Sequence, residues 1–317
     1  MITIYEFTEG AITRGFPLVM ACGFFDGVHR GHQALLRASS EEARNRGGKA
    51  VALSFSPHPQ SVIQPGKKVR LLTSREQKIR LFEAYGLDGC ILLDFSEGIR
   101  RMKPEDFIGF LRGEFPHLAH LVGGGNWRFG AGNRGDAVLL GRIAESNGLG
   151  ITAVDPVTWE GEPISSSRIR RAVADGDLRS VHAMLGRPFQ VIGRVRHGHQ
   201  IGRRLGFPTA NIQPDEVLLL PAGIYATLTL VDGGEYPSVT YIGRRPTFED
   251  TGGDQFIEVF IMDQELDLYG RELEVSFIKK IREDKMFDSP EALSRQIARD
   301  VEEARSILAE SVSGREA

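Results

Sequence analysis

The hydropathy rhythm of this chain changes once, near Gly186-Arg187-Pro188, and that change restricts it to a fold of two parts. Before it, short apolar runs alternate with segments of helical spacing. Residues 18–23, 50–55, 90–93, 120–122 and 151–154 read as strands. Between them, residues 33–46 place Leu35, Leu36 and Ala43 on one side and close at Gly47-Gly48. Ser74 and Gln77 have capping-box spacing ahead of a helix that carries Ile79, Leu81 and Phe82 and stops at Gly86. Pro104 suits the first turn of a helix packing Phe107, Ile108 and Leu111, and residues 137–146 repeat the unit. Such alternation predicts an α/β domain with a parallel, doubly wound sheet, which binds ligands at the carboxyl ends of its strands.

After Pro188 the pattern becomes short runs rich in Val, Ile, Thr, Tyr and Phe, at residues 189–195, 225–231, 236–242, 256–262 and 272–281, separated by Gly, Pro and Asp turns. This predicts a small antiparallel β-barrel. A terminal helix opens with Ser289 as cap and Pro290 at its first position, and Leu293, Ile297, Val301 and Leu308 form the stripe that packs on the barrel. Residues 311–317 are polar and read as a frayed end. The length of 317 residues suits two cores, with domains expected at 1–186 and 187–317.

Composition excludes some partners. Against 39 Lys plus Arg stand 42 Asp plus Glu, so a net charge of -3 offers no general attraction to nucleic acid or to an anionic membrane. The most apolar stretch, residues 16–25, is too short to span a bilayer, and the N-terminus lacks the basic segment of a signal peptide. Cys22 and Cys90 each lie in an apolar strand and read as buried thiols of a reducing compartment, which favours the cytoplasm. A homo-oligomer is compatible with the sequence.

Several motifs could carry chemistry. In GFFDGVHRGHQ (residues 23–33), His29 and His32 follow the first strand where a helix begins, so backbone N–H groups, the helix dipole and two imidazoles converge on an anion-sized spot. An ATP phosphate chain would fit there, and the charge that develops as pyrophosphate leaves needs fixed donors of this kind. Standing alone, HxxH more often means two surface histidines in a turn. Ser165-Ser166-Ser167-Arg168 makes a second anion cradle or an ordinary N-cap. Gly123-Gly124-Gly125-Asn126-Trp127-Arg128-Phe129-Gly130 follows the fourth strand and so lies at the same sheet edge.

The barrel half carries GRRLGFPTAN (residues 202–211). Pro208 pushes Phe207 into an extended conformation, and Thr209 and Asn211 then offer oxygens on the same side. Two neutral ligands suffice for Mg²⁺ when ATP phosphates supply the charge, although Pro-Thr-Ala-Asn also suits a plain turn and strand cap. Glu258 shares a period-2 face with Phe256, Phe260 and Met262, while Ile257, Val259 and Ile261 face the other way. Desolvation there would raise its pKa toward neutrality and suit it as a general base for a hydroxyl substrate. The competing role is an edge-strand Glu reaching solvent.

These runs, with the Pro57-His58-Pro59 loop, Leu185–Phe189 (LGRPF), PAGIYA from Pro221 and DLYG from Asp267, resemble the bifunctional riboflavin kinase/FAD synthetases of bacteria along nearly the whole chain. The resemblance implies an N-terminal adenylyltransferase domain that makes FAD and pyrophosphate from FMN and ATP, and a C-terminal barrel that phosphorylates riboflavin to FMN with Mg²⁺ and ATP. Carried over by position, Gly23, Phe24, Asp26, Gly27, His29, His32, Asn126, Arg128, Ser165, Ser166 and Arg168 would form the adenylyltransferase site, His29 and His32 stabilising the phosphates. Gly202, Arg203, Gly206, Pro208, Thr209 and Asn211 would bind the kinase ATP, Thr209 and Asn211 would hold the metal, and Glu258 would be the base.

The chain departs from the family pattern at Trp127 for Phe, Ser167 for Thr, Ser54 and Ser56 around Phe55, Tyr241 for Asn, Phe260 at a polar place and Asp284 for Glu. Those in the barrel half bear on flavin affinity and pocket shape. Two alternatives follow. One is an adenylyltransferase acting on another phosphate, against which the barrel and its Pro208–Asn211 segment argue. The other is a degenerate flavin-binding regulatory paralogue.

Overall fold

The computed structural model describes residues 2–57, 70–125, 127–196, 202, 205–214, 218–244 and 255–313. They form two compact units, Met1–Ser166 and Ser167–Ala317.

In the first unit, β1 (Ile2–Glu6), β2 (Leu18–Cys22), β3 (Lys49–Ser56), β4 (Gly89–Asp94), β5 (Leu118–Gly124) and β6 (Gly150–Val154) form one sheet in the order β1-β4-β3-β2-β5-β6. β2 through β6 are parallel, and β1 adds an antiparallel edge on β4, with Tyr5 opposite Cys90. β1 was not anticipated. It is an edge strand of five residues whose burial is only partial.

Alternating residues of the central strands face two separate cores, which is why the strands read as unbroken apolar runs. On one face Leu18, Met20, Val51, Leu53, Ile91 and Leu93 meet α4 (Pro104–Glu114) through Phe107, Ile108 and Leu111, and α5 (Ala137–Ser146) through Leu140 and Ala144. On the other, Val19, Ala21, Ala50, Ala52 and Cys90 meet α1 (Arg30–Asn45) through Leu35, Leu36 and Ala43, and α2 (Arg75–Ala84) through Phe82. The sheet is doubly wound. Cys22 and Cys90 are unpaired and buried, and burial pushes both thiols up to about 12.

Ser74 caps α2 as its spacing predicted, accepting the Gln77 N–H at 3.1 Å. The face of α2 differs from the apolar expectation, since its buried residues are Gln77, Lys78 and Phe82, with Ile79 and Leu81 only partly covered. α1 begins three residues before the expected start, because His29 supplies a cap that apolar periodicity cannot reveal. α3 (Glu97–Arg101) and the hairpin of β7 (Thr158–Trp159) and β8 (Glu162–Pro163) are too short to show a period.

The second unit holds α6 (Ser166–Asp175) from its second residue, α7 (Leu178–Leu185), and six antiparallel strands: β9 (Phe189–Arg196), β10 (Ala210–Pro214), β11 (Gly223–Val231), β12 (Gly234–Arg244), β13 (Gln255–Ile261) and β14 (Glu272–Arg282). They close into a barrel in the order β10-β13-β12-β11-β14-β9. Ala226, Leu228, Val239 and Met262 point outward onto Val301, Ala304, Ile307 and Leu308 of α8 (Pro290–Ser313). α8 keeps its helical backbone two residues past the expected fraying at Ser311.

The alternate residues fill the interior. There Thr227, Thr229, Ser238 and Thr240 are fully buried and satisfy one another, with Thr227 Oγ1 at 2.8 Å from both Ser238 Oγ and Thr240 Oγ1. Asp300 of α8 is buried and takes a two-pronged contact from Arg282, at 2.9 Å from Nε and 2.7 Å from Nη2, with Gln296 as a further donor. The pair ties α8 to the end of β14.

The change of rhythm at Gly186 is the end of α7, where Gly186 adopts the left-handed conformation of a helix C-cap with φ 72°. The compact unit nevertheless starts earlier, because Val181, Met184 and Leu185 of α7 are buried and the helix packs on β9 and β14. Two fragments test what α6 and α7 contribute. In urea, a fragment of residues 167–317 should be more stable than one of residues 187–317 by at least about 3 kcal/mol, since each buried aliphatic side chain is worth about 1.5–3 kcal/mol. Equal midpoints would show that these helices add nothing to the barrel core.

Candidate active site

In the parallel sheet the strand order reverses between β2 and β5, so the crevice at their carboxyl ends is where a doubly wound sheet binds ligands. Both glycine-rich motifs of the N-terminal half leave the sheet there. Gly23 follows β2, and Gly123 and Gly124 end β5 with Gly125 just after.

The turn after β2 is conformationally unusual. Phe25, Gly27 and Val28 all have left-handed φ, at 53°, 82° and 38°. For glycine that is free, but for the β-branched Val28 it is an outlier of the kind that clusters at functional sites. Asp26, only 3% exposed, accepts the N–H of Leu72 at 2.8 Å and of Thr73 at 3.4 Å. Gly27 N–H donates to Thr73 Oγ1 at 3.1 Å, the Gln33 amide donates to the Val28 carbonyl at 2.9 Å, and Ser166 Oγ donates to the Asp26 carbonyl at 2.9 Å. Each bond closes on a group the turn would otherwise leave unpaired.

His29 is the N-cap of α1, its Nδ1 accepting the His32 N–H at 3.3 Å. With Nδ1 occupied as acceptor, the proton of the neutral ring sits on Nε2, which is then a donor. The rings of His29 and His32 stack with centroids 3.6 Å apart, and Phe25 meets His32 edge-on at 5.1 Å. Gly31 lets the pair approach, since a Cβ there would lie 3.1 Å from the His29 ring. Burial, then the nearby His29 and Lys78, hold His32 well below the ordinary imidazole range, and its Nδ1 is buried without a hydrogen-bond partner.

The other expected members of this site fall as follows. Gly23 donates its N–H to the Leu53 carbonyl at 3.1 Å, and Phe24 is exposed with its ring 5.4 Å from that of Phe55. The indole of Trp127 covers Gly123, where a Cβ would lie 2.9 Å from it, and stacks on Phe129 at 4.9 Å. Arg128 is exposed and paired with Asp136 at 3.1 Å. Ser165 precedes α6, Ser166 opens it, and Arg168 is half-buried in its first turn. Asn126, His58 and Pro59 lie outside the described residues. Sequence reasoning gave no site role to Lys78, Thr73 or Ser54, which surround the turn from α2, its approach and β3.

On the barrel, strand register assembles the second cluster. Asn211 of β10 lies directly opposite Glu258 of β13, and Glu258 lies opposite Tyr241 of β12 on its other side. Directly paired residues share a face. On the far flank Asn211 is paired with Arg196 of β9, so Arg196, Asn211, Glu258 and Tyr241 form one transverse row. Sequence reasoning had no register with which to find Arg196. Thr209 Oγ1 donates to Glu258 Oε2 at 3.4 Å. The Tyr241 hydroxyl donates to Asp284 at 2.9 Å, and burial, followed by that carboxylate, raises its pKa.

Gly202 accepts the N–H groups of Leu205 and Phe207 at 3.0 and 2.9 Å, a turn that leaves no room for a side chain because a Cβ would lie 2.3 Å from the Phe207 carbonyl. Gly206 completes it with φ 87°. Pro208 is exposed beside Thr209, and the Phe207 ring packs edge-on against Phe260 at 5.5 Å. Arg203 lies outside the described residues.

A doubly wound sheet with a glycine-rich turn at its switch point, joined in one chain to a closed barrel with a polar row, defines a two-domain α/β-plus-barrel protein. A family model described as FAD synthetase matches residues 14–168, and one described as riboflavin kinase matches residues 185–308. The bifunctional riboflavin kinase/FMN adenylyltransferase of Escherichia coli K12 is 38% identical over 92% of each chain, and that of Listeria monocytogenes is 35% identical over 92% of each. The chain belongs to the bifunctional riboflavin kinase/FMN adenylyltransferase family. A crystal structure from Streptococcus pneumoniae titled as a macrolide-efflux protein also superposes, with TM-score 0.84 and 28% identity over 94% of this chain and 97% of that one. Among the described residues, no helix is long and apolar enough to cross a membrane.

The depressed imidazoles give a pH dependence. His32 and His120 are both held below the ordinary range, burial being the first cause in each. Above about pH 6.5 both rings are neutral folded and unfolded, with no effect on stability; below it the unfolded chain takes up protons that the folded one refuses. Stability of the first unit should therefore fall between about pH 6.5 and pH 5, above the range where carboxylates titrate. Urea midpoints across that window should slope less in a His32→Gln, His120→Gln double variant. A parent that is flat there would refute the buried-neutral assignment.

Proposed function

We infer that the chain phosphorylates riboflavin to FMN and adenylylates FMN to FAD, consuming ATP in both steps and releasing pyrophosphate in the second. The observation that carries this is the match of both halves, in order, to the two families, with the turn at residues 23–33 and the row around Glu258 falling inside the matched segments. We assign adenylyl transfer to residues 1–186 and the kinase to residues 187–317. The unpaired, buried thiols of Cys22 and Cys90 support a cytoplasmic setting.

In adenylyl transfer, a phosphate oxygen of FMN attacks the α-phosphorus of ATP, a new P–O bond forms, and the bond to pyrophosphate breaks. The N–H groups at the start of α1 and the Nε2 donor of His29, with His32 stacked behind it, are fixed before the reaction and so stabilise the departing charge without reorganising. Gly23, Phe24, Asp26 and Gly27 shape this turn. Asn126, Arg128, Ser165, Ser166 and Arg168 are assigned to the same nucleotide. Replacing His32 with Ala should lower FAD formation by about 10²-fold or more while riboflavin phosphorylation persists. Equal loss of both activities in a folded variant would remove this motif from adenylyl transfer.

In the kinase, Glu258 is assigned as the base that takes the proton of the riboflavin hydroxyl as its oxygen attacks the γ-phosphorus. Thr209 and Asn211 fit Mg²⁺, since both are neutral oxygen donors flanking one carboxylate, one by hydrogen bond and one by register. Bound there with ATP, the ion would neutralise charge on the phosphate oxygens. Gly202, Arg203, Gly206 and Pro208 are assigned to that ATP. Glu258→Gln keeps size and hydrogen bonding but removes the base, so FMN formation should fall by about 10²–10⁴-fold while adenylylation of supplied FMN is nearly unchanged. A Gln variant that phosphorylates riboflavin near the parent rate would make Glu258 structural.

A further inference from the structure

The buried side of α2 carries a lysine where its neighbours call for an aliphatic residue. Lys78 is 9% exposed, and a lysine is almost never buried unless its ammonium is held. Here Nζ donates to the Phe24 carbonyl at 3.2 Å and to Ser54 Oγ at 3.4 Å, while Ser54 Oγ itself lies 3.1 Å from that carbonyl as donor. Two donors, from α2 and β3, thus converge on one backbone oxygen. That oxygen begins the turn in which Phe25, Gly27 and Val28 are all left-handed.

The charged and titratable groups around this spot come from every neighbouring element. They are Asp26 and His29 on the turn, His32 on α1, Arg75 and Lys78 on α2, and Cys90 on β4. Asp26 favours the protonated lysine, burial opposes it, and Cys90 is held as a neutral thiol by its own burial. Arg75 is engaged by the Tyr5 hydroxyl at 2.5 Å. Lys78 is thus the buried cation closest in role to the imidazole pair, and it acts on His32 through space.

We propose that Lys78 is a positioning residue for adenylyl transfer: seated on the Phe24 carbonyl, its ammonium locks the 24–28 turn and supplies a fixed positive charge near His32, which stacks on His29. This rests on the assignment of that pair to adenylyl transfer. A carbonyl clamped by two donors cannot swing outward, so the N–H groups at the start of α1 keep their aim at the phosphate chain. With burial, the cation also disfavours protonation of His32, so that its ring acts as an oriented donor and general acid–base work is left out of the step. No proton moves to or from Lys78 during the reaction.

Lys78→Gln retains an amide donor for Phe24 and Ser54 and removes the charge. In the full chain, kcat for FAD formation from supplied FMN should fall between about tenfold and 10²-fold. The acid limb of its pH profile should move to higher pH as His32 becomes easier to protonate, and riboflavin phosphorylation should be unchanged. A merely structural lysine would alter stability without moving that limb. A folded Lys78→Gln variant with parent kcat and parent acid limb overturns the proposal. Should Lys78→Gln fail to fold, Ser54→Ala decides, because it removes one brace from the same carbonyl. A lower kcat for FAD formation at an unchanged melting temperature supports the proposal, and an unchanged kcat overturns it. His32→Ala keeps the two readings apart. If it leaves FAD formation intact, the site assignment itself fails; if it abolishes FAD formation while Lys78→Gln behaves as the parent, only the role of Lys78 fails.

Discussion

The carboxyl end of the parallel sheet in the α/β unit depends on one buried carboxylate, that of Asp26. Holding Phe25 and Val28 in left-handed conformations costs about 1–3 kcal/mol each, and a turn left to itself would relax. Asp26 prevents this by accepting the N–H groups of Leu72 and Thr73, so the approach to α2 grips the exit of β2 across the sheet edge. Charge-assisted bonds of this type are about twice as strong as neutral ones, and removing the acceptor would leave two buried N–H groups unpaired. The Thr73 hydroxyl, the Gln33 amide and the Ser166 hydroxyl close the remaining backbone groups. The cap at His29, the start of α1 and the stacking of His32 all follow from the position in which this turn is held.

The barrel meets the same requirement by register. β10, β12 and β13 bring Asn211, Glu258 and Tyr241 into one line because antiparallel pairing fixes which residues face each other. A slip of one residue would send every member of the row to the opposite face. The interior discourages such a slip. Ile257, Val259 and Ile261 alternate with the row and are buried, and the hydroxyls of Thr227, Thr229, Ser238 and Thr240 find their partners in one another and in the backbone carbonyls of Thr227 and Ser238 in the present pairing. Specificity of the core is therefore specificity of the site.

Much of this was legible in the sequence because burial writes a period. The parallel strands read as apolar runs since both faces are covered, and the barrel strands read as alternation since α8 and the interior divide their faces. The caps at Ser74 and Ser289 and the Pro at the start of α4 and α8 were legible for local reasons, each a backbone group with a predictable partner. What the sequence withheld was pairing. β1 and β10 are short and only partly buried, and the row through Arg196 exists only once register is known. The burial of α7 against the barrel strands was hidden for the same reason, since an amphipathic helix does not name the sheet it covers.

Glu258 and Lys78 show why one break of pattern was visible and the other was not. On a strand the two faces are separated by a half turn, so a carboxylate flanked by Phe256 and Phe260 stands out against a sharp alternation. On a helix successive residues are 100° apart, and a lysine at the margin of an apolar stripe is the commonest of solvated residues, its stem lying along the core and its ammonium in water. Lys78 departs from that habit only in three dimensions, where the exit of β2 and Ser54 of β3 close over its ammonium and a carbonyl takes the place of water. The signal is then thermodynamic. Burying an ammonium is unfavourable by itself, and here the Phe24 carbonyl, the Ser54 hydroxyl and the nearby charge of Asp26 offset that cost.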